Sequence, residues 1–262
     1  MIDTHTHTIV SGHAYNTMKE MINTAIDKNL EVLCITDHGP AMPGAPHPFY
    51  FSNLRAINKE LYPIRSGNMI FSGRYLRVIN GMEANILNYK GRTDYEDIGD
   101  DIQNIKYIIA SFHRCCCLPG TEQENTNAYI GAIKKPYVSV IGHIDDGNYP
   151  CDYEKIIKAA KEYNVLVEVN NSSNSPNSFR LNSQKNTMEY LQLCKENDVR
   201  IIMNSDAHYD EDIANFENIL PLIEKVKFPE DLIINYDTEE FLKFVDEKYA
   251  ARRKFYGLGP SD

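Results

Sequence analysis

The chain has 262 residues, long enough to bury a sizeable core, and its 42% hydrophobic and 24% charged residues are the balance of an ordinary globular protein. A formal charge of −10 argues against a nucleic acid or a membrane surface as partner, because both need a basic footprint. No apolar run reaches the length of a membrane span and the N-terminus has no signal-peptide pattern, which points to the cytoplasm; the acidic balance permits a soluble homo-oligomer without marking an interface.

Seven short apolar runs, rich in Val and Ile, punctuate the chain at 1–3, 31–36, 75–80, 105–111, 137–142, 165–170 and 199–204. Each reads as a buried strand. Stretches of helical period lie between them, among them 18–29, 153–164 and 187–197. Alternating strands and helices imply parallel strands joined by crossover helices. Seven repeats favour a closed α/β barrel over an open sheet. The Pro-rich, aromatic segment 39–53 either caps a site as a lid or packs on the surface. Two last helical patterns, 216–226 and 239–253, are expected to cover the outside of the barrel.

The histidines fall on this rhythm. His5, His7 and His13 follow the first strand, His38 the second, His113 the fourth, His143 the fifth and His208 the seventh. Glu83 follows the third strand and Asp206 precedes His208. In a parallel barrel all strand C-termini open on one face, so residues two hundred positions apart converge on one pocket. A single histidine is usually structural, but nine such residues in one pattern point to metal. Nine donors are too many for one ion and generous for two, whereas three ions fit if Glu83 is shared. His47 lies in the Pro-rich loop and is read as a loop residue.

Six cysteines, Cys34, Cys115, Cys116, Cys117, Cys151 and Cys194, show no disulfide framework. The adjacent Cys115, Cys116 and Cys117 lack the C-x2-C spacing of zinc thiolate sites and are read as ordinary thiols at a strand end.

The elements HTHT (5–8), ITDHGP (35–40), GMEANI (81–86), FH (112–113), GH (142–143) and SDAH (205–208) resemble, in family order, those of the PHP family, the polymerase and histidinol phosphatase domains. HAYNT after the first motif, APHPFYF in the long loop, GMEANILNYKG and VEVNNSS resemble more narrowly its YcdX-type phosphatases. The resemblance implies one domain over 1–262 with a distorted (β/α)7 TIM-like barrel and three divalent ions. Zinc suits imidazole-rich donors, with manganese or iron as alternatives. By motif, His5, His7, Glu83 and Asp206 would hold the first ion. His13, His38 and His208 would hold the second, and Glu83, His113 and His143 the third. Two segments depart from the pattern, RCCCLPG after His113 and the long NNSSNSPNSFRLNS (170–183) after the sixth strand, where specificity would be set.

Three divalent ions against two carboxylates leave about four positive charges, a natural seat for a phosphate dianion. The expected activity is hydrolysis of small-molecule phosphomonoesters by in-line attack of a metal-held hydroxide. Arg180, beyond the one strand that offers no metal ligand, is the candidate to fork onto phosphate, with Arg114 a weaker one. Asp37 and Asp145 lie near the ligands, as proton donors or as groups that orient histidines. Histidinol phosphate is the runner-up substrate. The alternatives in other classes are phosphodiester cleavage and non-catalytic binding of phosphate or metal.

Overall fold

A parallel strand covered on both faces is apolar throughout, and Val32, Leu33, Cys34 and Ile35 are all buried. The computed structural model describes residues 1–57, 59–66, 69–98 and 104–257. The sheet runs in the order β1 (Ile2–Asp3), β2 (Val32–Ile35), β4 (Met69–Asn85), β5 (Tyr107–Ser111), β6 (Val140–Ile141), β7 (Leu166–Asn170) and β8 (Ile201–Asn204). Every neighbouring pair in that order is parallel. The distorted barrel read from the sequence is the fold. An eighth strand, β3 (Leu61–Ser66), pairs antiparallel with the first half of β4 and extends the sheet as a hairpin. The third strand is marked in the sequence only from residue 75, because Leu61, Ile70 and Tyr75 are exposed and no buried run marks the hairpin.

Helices pack outside. In α1 (Met18–Asp27), Thr17 and Glu20 form a reciprocal capping box, as Thr121 and Glu124 do at α3 (Glu122–Ile133). Met21, Ile22, Ala25 and Ile26 of α1 pack on the outer residues Leu33 and Ile35 of β2 and Leu76 and Val78 of β4. Helices α4 (Tyr153–Glu162), α5 (Ser183–Glu196) and α6 (Leu220–Val226) continue the shell, and a short α2 (Phe49–Asn53) lies in the Pro-rich loop. No helix among the described residues is long and apolar enough to cross a membrane.

Helix α7 (Thr238–Phe255) corrects an expectation. It was read as outer cover, but Phe241, Phe244 and Val245 join the cluster formed by the inward residues Ile2, Val32, Ile79, Tyr107, Val140, Leu166 and Ile202. It plugs the N-terminal end of the barrel. Its aromatic residues repeat at a helical spacing that suits either an outer face or an end plug, so the sequence could not separate the two. Lys248 of α7 is mostly buried, donating to the Tyr163 carbonyl at 2.9 Å.

Strands β8 and β1 share no continuous ladder, and a side chain closes the gap. The buried Asn235 accepts from Met203 N at 2.7 Å and donates to Met203 O at 2.8 Å and Ile2 O at 3.1 Å. Beyond the strands the seam zips directly: His7 N donates to Ala207 O at 2.9 Å and Ala207 N to His5 O at 3.3 Å. The seam therefore sets the first motif against SDAH.

Asn235→Ala would strand those buried backbone groups, and unfolding free energy is expected to fall by about 3 kcal/mol in urea titration; a loss within error shows that the seam closes without it. Burial pushes the Lys248 ammonium down to about 8 from its ordinary 10.5. Between those values the unfolded chain binds this proton more strongly, so the group makes stability rise with pH. Lys248→Met is expected to flatten that rise by about 2–3 kcal/mol; an unchanged slope shows a solvated ammonium.

Candidate active site

The inward face of the barrel changes from apolar to polar toward the strand C-termini. Above Leu166 on β7 stand Glu168 and Asn170; above Ile79 on β4 stand Glu83 and Asn85, all four buried. The loops beyond bring all nine predicted residues to one cluster around Glu83. Glu83 Oε1 lies 3.3 Å from His5 Nε2, 3.4 Å from His113 Nε2 and 3.1 Å from His143 Nε2. Glu83 Oε2 lies 2.7 Å from His38 Nδ1 and 3.5 Å from His7 Nε2. Asp206 Oδ1 lies 3.5 Å from His5 Nε2, 3.3 Å from His7 Nε2 and 3.6 Å from His208 Nδ1. His13 sits on the exposed rim with its Nε2 3.2 Å from His38 Nε2.

The imidazoles are aimed by partners that the sequence analysis did not name. Glu168 takes His5 Nδ1 at 2.6 Å, and it also accepts from His143 N at 2.8 Å and Asn204 Nδ2 at 2.8 Å. Asn85 donates its amide to Asp94 at 2.6 Å and to Gly39 O at 3.1 Å, so its Oδ1 accepts from His113 Nδ1 at 2.7 Å. Ser11 gives its proton to Asp37 at 2.7 Å, so its oxygen accepts from His7 Nδ1 at 3.2 Å. In all three rings Nδ1 is held by such a partner and Nε2 is turned toward Glu83 or Asp206, as the partners of metal-binding histidines fix them. A signal existed in the sequence: Glu168 is the one charged residue in the apolar run 165–170.

His143 and Asp206 both have positive φ, 27° and 57°. A non-glycine residue is rarely held there, and such strain gathers at functional sites. Gly142 before His143 passes so close to Ser111 that a Cβ would lie 2.2 Å from its hydroxyl.

Protonation follows from these surroundings. Burial opposes ionisation of Glu83, but the facing charges of His5, His113 and His38 prevail and hold it well below the carboxylate range. Asp206 is likewise held low against burial, chiefly by the facing His5. Burial, with repulsion from His38 and His208, pushes His7 well down and His13 to about 4. His7 and His13 are thereby kept neutral beside ionised carboxylates, as metal binding requires; at His5 burial is overcome by Glu168, Glu83 and Asp206, which raise it well above its ordinary value, so a cation there would displace a proton.

Buried His5 Nε2, His7 Nε2, His38 Nδ1 and Glu83 Oε2 all lack a hydrogen-bond partner. Orphaned buried polar atoms are rare, and donors aimed into one space fit divalent cations. Three overlapping groups have ligand atoms within 4.8 Å of one another: His5, His7 and Asp206; His7, His38 and His208; and His38, Glu83 and His113. His7 joins the first group to the second and His38 the second to the third, so the donors form one continuous cluster.

The cluster floors a cavity of about 940 Å³. Arg180 reaches its floor, donating from Nη1 to Ser173 Oγ at 2.5 Å and lying 3.4 Å from Asp206 Oδ2, while Arg114 stands on the wall. Asp37 and Asp145 do not line the cavity. Asp37 is occupied by Thr8 N at 2.7 Å, Ser11 Oγ and Tyr50 OH at 2.8 Å, so it fastens the first motif to the second. Burial raises Asp145 to about 7, against the charge of Arg180. Of the Pro-rich loop only Met42 faces the cavity; Phe51 packs in the core and His47 is exposed. Cys116 and Cys117 follow His113 in a tight turn on its carbonyl, and Cys115 lines the wall.

Glu168→Gln removes the anion that holds His5, so zinc affinity in competition with a chromophoric chelator is expected to drop about 10–100-fold. Unchanged affinity would show that His5 is oriented without it.

The PHP domain family model matches residues 3–172. Among curated relatives, a "probable phosphatase" of Acetivibrio thermocellus is 38% identical over 248 residues, covering 95% of this chain and 96% of the relative. One of Caldicellulosiruptor bescii is 42% identical over 244 residues, covering 93% and 95%. Among solved structures, the histidinol phosphate phosphatase of Lactococcus lactis, complexed with zinc, L-histidinol and phosphate, aligns with a TM-score of 0.59. It is 18% identical, and the alignment covers 87% of this chain and 94% of that one. With the barrel, the motif order and the family match in agreement, this chain belongs to the PHP domain family.

Proposed function

We propose that the chain, read as one catalytic unit, is a metal-dependent phosphatase acting on small phosphomonoesters at a three-ion site. One observation carries the reading: a buried cluster of histidines and carboxylates shares the floor of one cavity with the Arg180 guanidinium. The names of the relatives and the phosphate and zinc of the Lactococcus lactis structure support it. His5, His7, His13, His38, Glu83, His113, His143, Asp206 and His208 would hold the ions, zinc by donor type. Bound there, divalent ions would supply Lewis-acid stabilisation of phosphoryl charge and acidify a water.

The chain's own residues do the rest. Arg180 offers two nitrogens in the fork geometry that suits phosphate oxygens, and Asp206 holds that guanidinium at the cluster. Glu168, Asn85 and Ser11 keep the three imidazoles fixed, so that the site is organised before substrate arrives. Among the described residues, Arg114 and Arg180 are the only cationic side chains on the wall besides the histidines, which favours a small monoester over a polymeric phosphodiester.

The test is phosphate release by zinc- and manganese-loaded protein from a panel of phosphomonoesters with a phosphodiester alongside. Metal-dependent release from monoesters, lost in His113→Ala, is expected. Release from the diester alone would reassign the reaction, and no release with ions bound would leave a binding protein. Glu83→Gln is expected to lose more metal than His38→Ala by elemental analysis; equal loss of one ion from each would count against a bridging Glu83.

A further inference from the structure

The geometry points to a sugar phosphate as the substrate, a phosphomonoester whose alcohol half is a neutral, polyhydroxylated ring. This rests on the phosphatase reading for the phosphate end and on the cavity wall beside Arg180 for the other. That wall comes from three loops: the one after β6, the long one after β7, and the turn before α6. It presents amides. Asn171 Oδ1 is taken by Asn218 N at 2.9 Å and Asn215 Oδ1 by Glu217 N at 3.0 Å, which leaves both NH2 groups as donors on the cavity wall. Asn148 spends its NH2 on Asp146 Oδ1 at 2.7 Å, which leaves its carbonyl oxygen as an acceptor. The Asn177 side chain, also on the wall, makes no hydrogen bond among the described residues.

Donors and acceptors interspersed on one wall suit hydroxyl groups, each of which can donate and accept. A second anionic group has only Arg114 to meet it among the described residues, because none of the lysines there lines the cavity and Arg180 already faces Asp206. Phe179 adds an apolar surface: it lines the cavity and is 81% exposed. One exposed aromatic beside an array of amides fits a sugar ring, which has an apolar face and a polar edge. Phe112 and Tyr149, the other phenyl and phenol rings among the described lining residues, are buried and stacked on each other at 4.5 Å, so neither is offered to sandwich a base. A cationic amino alcohol is the competing guest, since Asp146 and Asp212 also line the cavity. Asp146 Oδ1, however, is already engaged by Asn148 through both its backbone and its side chain.

The experiment is calorimetric titration of the zinc-loaded full chain with non-hydrolysable phosphonates: a hexose phosphonate, methylphosphonate, an aminoalkyl phosphonate and a nucleoside phosphonate. The hexose compound is expected to bind at least about tenfold more tightly than methylphosphonate. Asn177→Ala with Asn215→Ala is expected to remove most of that ratio, while the affinity for methylphosphonate changes less. Equal affinity for the hexose compound and methylphosphonate overturns the sugar assignment even where phosphomonoesters are hydrolysed. So does tightest binding of the aminoalkyl or the nucleoside compound. A persistent hexose preference in protein that hydrolyses no monoester upholds the sugar pocket and removes the phosphatase reading instead.

Discussion

A carboxylate buried among five imidazoles is the constraint on which the site depends. Glu83 is 1% exposed, and each of the five rings brings a nitrogen within 3.5 Å of it. A charge so placed is tolerable only where neighbouring positive charge replaces lost hydration. The surrounding construction serves that requirement. Glu168, Asn85 and Ser11 each hold Nδ1 of one ring, of His5, His113 and His7 in turn: the carboxylate can only accept, and the protons of Asn85 and Ser11 are already engaged elsewhere. The lone pairs can then point only inward, toward the place where cations would satisfy both kinds of group.

The barrel separates this demand from the demands of stability. Toward the strand N-termini its interior is apolar and α7 plugs the opening with Phe241 and Phe244; toward the C-termini it becomes polar within two residues along each strand. The seam between β8 and β1 links the two ends. Asn235 ties the strands at the apolar level, and above it the Thr6–Ala207 bridge sets His5 and His7 against Asp206 and His208. A shift of register there would misplace four candidate ligands at once. The long loop after β7 supplies Arg180 to the cluster and Asn171, Asn177 and Phe179 to the wall, so one segment joins the donor cluster to the rest of the pocket.

Much of this was legible before any coordinates. Buried parallel strands must be apolar, so the Val- and Ile-rich runs marked seven of the eight strands, and histidines just beyond them marked the open face. The hairpin β3–β4 escaped because its residues are half exposed and carry no buried run. Asn235 escaped because a side chain standing in for a strand leaves no periodic trace. Glu168 and Asn85 were visible as polar residues in strands, but their tasks were not: the first touches His5 across 163 residues and the second touches His113 across 28.

The sequence by itself determined the alternation of elements, the inventory of donors and the end of the barrel on which they gather, because these follow from local periodicity and from the common direction of parallel strands. Only the tertiary structure decided which imidazole nitrogen faces inward, which side chains orient the rings and which helix closes the far end. Those depend on contacts between residues remote in the chain, and a one-dimensional pattern carries no distance between them.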